Sequence, residues 1–552
     1  MIEENRPDRW ADEGILQERG SPPPTCQVLL LLACLFLFAA VVITRAWLSD
    51  DAYITFRVAD NAVAGRGLTW NPDERVQAYT HPLWLFLLIA GRAATGELFY
   101  TTTLLGIGLS VAAVGLLAFR LPVRPTMAAL GVLVLTGSRA FVDYATSGLE
   151  NPLTHLLLAL FLLVYLTRPV GNRQLLTLSF LAALVALNRT DALLLVLPAL
   201  GLALWRGRSW AALAAATLGF LPFLLWTAFS LAYYGFPFPN TAYAKLSTGI
   251  ATADLARQGA AWLANSLRWD PITLTAIAVA LALAVASRRA TWLAAAAGIA
   301  LYLLYIVRIG GDFMSGRFLT APLFVAVAVV MMLLDGRLRT RRRQLAAAGV
   351  IVALALAGYL PVWLAGNPTG DNARRDGDIA DERAYYWPNT GLLNRERTPH
   401  PWAMQGLELR AQGSAVIEHG NVGFLGYFAG PDVHIVDRNG LTDPLLARLP
   451  VRDPADWRIG HFRRDVPDGY IDTLRGGQNV IADPAIAAFY DTLATITRGP
   501  LWSAERWRAI WRVNTGDSRP DRWAHQDACW SKVVGAPTCQ VWANFGILSS
   551  TN

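Results

Sequence analysis

Two adjacent carboxylates, Asp50 and Asp51, follow directly on a long apolar segment, Gln27 to Leu48. Charge at that depth is costly, and neighbouring acids repel each other, so one member of such a pair is driven toward holding its proton. A pair split in this way can do chemistry. One acid, ionised, takes a proton from a hydroxyl, while the other donates a hydrogen bond or helps to hold a metal. The same pair could also simply end a helix in water. Its company favours chemistry, because it opens a polar, aromatic-rich loop that runs to His81. Further acids stand at Glu150, Asp191 and Asp312, cations at Arg57, Arg189, Lys245, Arg308 and Arg317, and rings at Tyr53, Tyr79, His81, Trp84, Tyr243 and Phe313.

The elements that position these residues are membrane helices. The chain has 552 residues, of which 54% are hydrophobic and 16% charged. Several apolar stretches approach the ~20 residues that a spanning helix needs. The net charge of +7 does not point to nucleic acid, since the arginines lie in short runs between apolar segments. Residues 1–26 read as a disordered cytoplasmic tail, 27–365 as the membrane domain with 49–98 as its first outer loop, and 366–552 as a soluble domain. The first apolar segment lacks a small-x-small cleavage site and reads as an uncleaved span. Cys26 and Cys34 lie in or beside it. Cys529 and Cys539 lie in the last domain, where a disulfide fits an oxidising compartment.

Spans are expected at 27–48, 99–119, 125–141, 152–167, 174–187, 191–205, 209–232, 271–287, 291–307, 317–334 and 345–365, about eleven in all. The short run Pro82–Thr95 is read as a helix lying on the membrane surface. With that choice every loop carrying Arg120/Arg124, Arg168/Arg173, Arg206/Arg208, Arg288/Arg289 or Arg337–Arg343 falls on one face, which the positive-inside rule makes cytoplasmic. The N-terminus is then inside and the C-terminal domain outside. If Pro82–Thr95 spanned, the basic runs would split between the faces. All the loops rich in polar residues fall on the outer face, and the inner face carries no phosphate-binding GxxxxGK[ST] stretch.

Sugar chemistry outside a cell membrane uses polyprenyl-phosphate sugars, because nucleotide sugars are not available there. A site for one needs cations for the leaving phosphate, a carboxylate for the acceptor hydroxyl, and aromatic faces for sugar and lipid. The outer loops hold all three. Internal salt bridges are the plainer use of the outer cations.

The stretch Asp50-Asp51-Ala52-Tyr53-Ile54-Thr55-Phe56-Arg57, followed by Asn61, Gly65, Gly67-Leu68, Trp70-Asn71-Pro72, Glu74-Arg75-Val76, Tyr79-Thr80 and Pro82-Leu83-Trp84, resembles the first outer loop of AftB-like arabinofuranosyltransferases of the GT-C class. Ser147–Asn151, Asn188–Asp191, Pro239–Lys245, Gly310–Phe318 and Asp437–Asp443 resemble the same family. His81 departs from its pattern, which has Asn or Ser before Pro-Leu-Trp, and this bears on the choice of sugar or acceptor. The resemblance implies a GT-C fold with juxtamembrane helices in the first outer loop and an extracytoplasmic C-terminal domain. It implies decaprenyl-phosphoryl-arabinofuranose as donor and a cell-wall arabinan as acceptor, with pilin or another sugar as alternatives.

On this reading Asp50, then Asp51, is the catalytic carboxylate. Arg57, Arg189, Lys245 and Arg317 are candidates for the phosphate. Tyr53, Tyr79, His81, Glu150, Asn151, Asp191, Asn240, Asp312, His419 and Asp437 are candidates for the sugar and acceptor. No cofactor is assigned, and a divalent cation could bridge Asp50 and Asp51 to the phosphate. Glu418–Tyr427 could close over the cavity, or be plain strand and turn. The C-terminal domain is expected to be mixed α/β or β-rich, from apolar runs such as 414–417 and 433–436. A lipid-linked sugar flippase is the rival class, but it would want an internal repeat and charges at mid-membrane, and the sequence shows neither.

Overall fold

The computed structural model describes residues 24–246, 248–365, 374–375, 379–413 and 415–515. The reading of the N-terminal tail, apart from its last residues, and the expected Cys529–Cys539 pair lie outside the described residues. So do residues 366–373, where the last domain was expected to begin.

Helices occupy all eleven expected spans. The membrane domain runs α1 (Thr25–Arg45), α2 (Asp50–Val63), α3 (Pro82–Thr95), α4 (Phe99–Arg120), α5 (Pro125–Gly137), α6 (Arg139–Asp143), α7 (Asn151–Thr167), α8 (Asn172–Asn188), α9 (Leu193–Gly207), α10 (Trp210–Gly219), α11 (Leu221–Tyr233), α12 (Asn240–Leu246), α13 (Thr252–Trp269), α14 (Pro271–Ser287), α15 (Ala290–Arg308), α16 (Thr320–Leu334) and α17 (Arg341–Ala365). Five segments, Thr25–Arg45, Phe99–Arg120, Thr190–Gly207, Ala290–Arg308 and Arg317–Leu334, are long and apolar enough to cross a membrane alone. The α10–α11 pair qualifies jointly, with a 50° bend between its halves. The shorter helices α5 and α7 suit a thinned bilayer or flanking extensions. This is a multi-pass membrane protein.

The 14 residues of α3 extend roughly 21 Å, short of the ~30 Å hydrocarbon core. One face of α3 buries Trp84, Leu85 and Leu88, and Arg92 at its end pairs with Asp60 of α2 at 2.5 Å. Between α11 and α14, where no span-length apolar run occurs, α13 is amphipathic and meets α14 at 110°. Close helix approach is bought by glycine: Gly298 of α15 lies directly on the backbone of Leu195 in α9, where any Cβ would overlap it.

The last domain comprises β1 (Arg374–Arg375), β2 (Ile379–Ala380), α18 (Glu382–Thr390), α19 (Pro401–Gln412), β3 (Ala415–His419), α20 (Phe424–Ala429), β4 (Val433–Asp437), α21 (Tyr470–Gly476), α22 (Pro484–Arg498) and α23 (Ala504–Thr515). The runs 414–417 and 433–436 do mark strands. β3 and β4 pair in parallel from Ala415↔Val433 to His419↔Asp437, with α20 as crossover. Of the two readings, mixed α/β fits and β-rich is corrected, because each sheet among the described residues has two strands and the rest is helix and irregular loop. α22 shows why: Asp483 caps the amides of Ala485 and Ile486, Pro484 occupies the first turn, and Phe489, Tyr490, Leu493 and Ile496 bury one helical face.

The domain is joined to the membrane part by specific bonds. The amide of Ala380 donates to Phe313 O at 2.7 Å, and that of Ser315 to Ala380 O at 2.9 Å. Thr390 Oγ1 donates to Leu48 O at 2.7 Å. Phe236 of the α11–α12 loop shares a hydrophobic core with Leu445, Tyr470, Leu493 and Ile510.

Candidate active site

α1 ends at Arg45 and α2 begins at Asp50, so both acids lie in the first turn of α2, where the helix dipole favours negative charge. The amide of Ser49 donates to Ser147 O at 2.8 Å, which draws the Ser147–Asn151 loop alongside.

Asp50 is 7% exposed and is covered by the last domain. Its Oδ1 accepts from the Phe424 amide at 2.6 Å and its Oδ2 from Asn421 Nδ2 at 2.9 Å. Gly423 lies so close that a side chain there would overlap the Asp50 carboxyl group. The Gly-containing turn after β3 therefore packs directly on the Asp50 carboxyl group. Burial is the main influence on Asp50 and, with the Asp51 charge, outweighs the two hydrogen bonds, so its pKa is pushed up to about 7. Asp51 stays more open and faces Arg317, with Nη1 to Oδ2 at 3.9 Å.

Glu150 is the hub of the second part of the site. It is fully buried and takes Arg189 Nη1 at 2.8 Å, Arg317 Nη2 at 3.2 Å and His81 Nδ1 at 3.2 Å. Burial alone would raise its pKa, but Arg317, the His81 hydrogen bond and Arg189 together hold it well below the ordinary carboxylate value. Arg189 also grips Asp191 through Nε at 2.7 Å and Nη2 at 2.5 Å, and lies 4.5 Å over the Phe318 ring. Arg317 reaches Asp312 Oδ2 at 4.0 Å. That oxygen is buried and has no hydrogen-bond partner. Burial raises the Asp312 pKa against the pull of Arg317 and Lys245. The turns that deliver these groups use Gly310, Gly311 and Gly316 at φ of 92°, 76° and 74°, as the spacing of glycines predicts.

The expected residues divide clearly. Asp50, Asp51, His81, Glu150, Arg189, Asp191, Lys245, Asp312 and Arg317 come together around these contacts. Others are occupied in holding the fold. Arg57 donates to Trp70 O at 2.8 Å, Gly426 O at 2.5 Å and Val433 O at 2.9 Å, which commits its guanidinium to carbonyls of the domain interface. Tyr53 packs on Phe56, Phe424 and Tyr427. The Tyr79 hydroxyl bonds that of Tyr234 at 2.7 Å. Asn151 donates to Thr320 Oγ1 at 3.0 Å, and Asn240 to Gly440 O and Asp443 O, both at 2.9 Å. Asp437 accepts three amides, from Asn439, Leu441 and Thr442, and shapes the turn after β4. His419 Nδ1 accepts the Asn421 amide at 2.9 Å and so supports the residue that holds Asp50.

Glu382 and Asn421 are the members that sequence reasoning did not single out. Glu382 is buried, and burial together with the charges of Asp51, Asp50 and Asp312 raises its pKa well above the usual carboxyl value, against Arg458. Among the described residues no group of three or more His, Cys, Asp or Glu side chains has metal-site spacing.

An apolar groove of about 270 Å³ adjoins the cluster, lined by Pro82, Leu83, Phe86, Leu187, Pro222, Leu225, Trp226 and Phe229. Pro82 follows His81 in the chain, and Leu187 is two residues from Arg189. At these two points the groove lining and the charged cluster are near neighbours along the chain.

No family model matches the chain. It is 29% identical over 77% of its length to a terminal beta-(1->2)-arabinofuranosyltransferase of Mycobacterium tuberculosis, covering 82% of that protein. It is 25% identical over 76% of its length to the protein of the same name from Corynebacterium glutamicum, covering 73% of it. These are the enzymes that the first outer loop resembles. Among solved structures, ArnT from Cupriavidus metallidurans bound to undecaprenyl phosphate aligns with 76% of this chain and 87% of its own, at 11% identity and a TM-score of 0.48.

Proposed function

We propose that this chain is a membrane glycosyltransferase that moves an arabinofuranosyl group from a polyprenyl phosphate to a glycan acceptor on the extracytoplasmic face. The observation that carries this is Asp50, a buried carboxyl with a pKa near 7, just beyond the C-terminal end of the first span. Such a group suits a general base at neutral pH. In the step, Asp50 takes the proton of an acceptor hydroxyl and that oxygen bonds to the anomeric carbon. The bond from this carbon to the phosphate oxygen breaks, and polyprenyl phosphate leaves. Arg189, Arg317 and Lys245 supply the positive field for the leaving phosphate. The apolar groove beside His81 and Arg189 suits the first isoprene units of the lipid. His81, Asp191, Asp312 and Glu382 suit the sugar hydroxyls.

The donor we assign is decaprenyl-phosphoryl-arabinofuranose, and the product linkage the terminal β-(1→2) bond that the two relatives' names print. The test is in vitro transfer from a synthetic polyprenyl-phosphoryl pentose to oligosaccharide and peptide acceptors in parallel. Product on an arabinan oligosaccharide, abolished by Asp50→Asn with folding and donor binding retained, is expected. Donor crossing the bilayer without product would make the chain a flippase, and product on the peptide alone would replace the glycan acceptor.

A further inference from the structure

The hydrogen bond between Asn421 and Asp50 joins the first outer loop to the last domain at the reactive carboxyl itself. Three features show that the contact is built. The Asn421 backbone amide is fixed by His419 Nδ1 at 2.9 Å, so its side chain leaves the β3 end in a set direction. Gly423 has no side chain where one would strike the Asp50 carboxyl group. Asn421 Oδ1 is buried without any hydrogen-bond partner. An amide buried with half its capacity unmet costs stability. Domain adhesion does not explain keeping it, since Arg57, Thr390 and Asn240 already tie the interface with satisfied bonds.

We propose that Asn421 is a positioning residue for transfer: with the Phe424 amide it fixes the rotation of the Asp50 carboxyl group, turning the remaining lone pairs toward the acceptor hydroxyl. Each carboxylate oxygen has two lone pairs, and the two donors occupy one on each. The bond also favours the charged form, which is the form that accepts a proton. The groups facing Asp50 from neighbouring elements are Asp51, Glu382, Tyr53 and Tyr386. None is a cation, so the two neutral donors are the carboxylate's support. This inference rests on the reading of Asp50 as the base.

The test compares Asn421→Ala, Asn421→Asp, Asp50→Asn and Thr390→Val in the full chain, with transfer measured from pH 5 to 9 and melting followed in parallel. Thr390→Val weakens the same interface without touching Asp50. Removing a donor raises a carboxyl pKa, so Asn421→Ala should lower kcat at least about 20-fold, with acceptor KM changed less than about 2-fold and the acidic limb moved up by about one pH unit. Asn421→Asp places a second acid against Asp50 and should move the limb further. Thr390→Val should lower the melting temperature and leave the limb in place. Wild-type kcat and pH profile in both Asn421 variants overturns the proposal. Loss of folding in both, or lower melting without movement of the limb, makes Asn421 a stability residue and overturns it as well. An active Asp50→Asn removes the underlying reading instead, which the same data set separates.

Discussion

Arg57 donates from Nη2 to Val433 O at 2.9 Å, across 376 positions of sequence. Its guanidinium also lies 4.1 Å over the Trp70 ring. Burial drives its pKa down to about 9, with Asp73 as a weak opposing charge. A buried cation held by carbonyls makes the first outer loop and the last domain one folding unit. Arg57→Ala would leave the carbonyls of Gly426 and Val433 short of a donor, at a cost of roughly 2–5 kcal/mol, while Trp70 O keeps Asn61 Nδ2 at 3.1 Å. Melting of the purified protein should fall accordingly. An unchanged melting temperature would separate the two parts energetically.

Asp50 carries a pH-dependent cost. Its folded pKa, about 7, lies above the unfolded value of 3.8. The folded chain therefore binds more protons than the unfolded one between those values, so stability falls as pH rises through that window. The loss is on the order of 4 kcal/mol above pH 7. Asp50→Asn should raise the melting temperature at pH 8 and leave it nearly unchanged at pH 4. A gain of equal size at both would show that the acid is not titrating in this window.

Transfer itself should rise with pH through about 7 on its acidic side, because the base must be ionised. The kcat/KM profile of the wild type checks this. A flat profile from pH 5 to 8 would assign the proton to another group.

Glu150 bonds Arg189, Arg317 and His81 at once. Glu150→Gln keeps the shape and deletes the charge that the two guanidinium groups share. Leaving buried charges under-compensated costs about 3–5 kcal/mol, so the variant should melt much earlier and lose most of its transfer. Normal melting with lost transfer would make Glu150 a substrate group rather than a brace.

Phe86 lines the apolar groove and packs edge-on to Trp226 at 5.8 Å. Phe86→Ala removes apolar wall worth roughly 1–2 kcal/mol, a rise of about 5- to 30-fold in KM for a long-chain donor. Donors with a very short prenyl chain should be nearly unaffected. Equal losses for both would place the lipid elsewhere.

The membrane domain was legible because apolar runs and arginines are averaged over many residues. Each expected span holds a helix, and the short α3 is capped by surface contacts such as Arg92–Asp60. The charged members of the site were legible as residue types, but their partners were not. Arg57 and Arg317 look alike in sequence, yet one holds carbonyls and the other carboxylates. Glu382 was hidden because Asp381-Glu382 reads as an ordinary helix start, and Asp381 does cap Ala384. Burial, which raises the Glu382 pKa, depends on the packing of distant loops. The last domain was misjudged toward strands because β3 and β4 are local and hydrophobic, whereas the buried face of α22 is diluted by alanine and threonine.

The contact between Asp50 and Asn421 spans 371 positions. During synthesis the acid is delivered to the membrane long before the amide that completes it has left the ribosome. A chain halted after α17 would carry Arg189, Lys245 and Arg317 and most of the acids of the cluster, yet lack the finished carboxyl support. The last support of this acid therefore waits on the final third of the polypeptide.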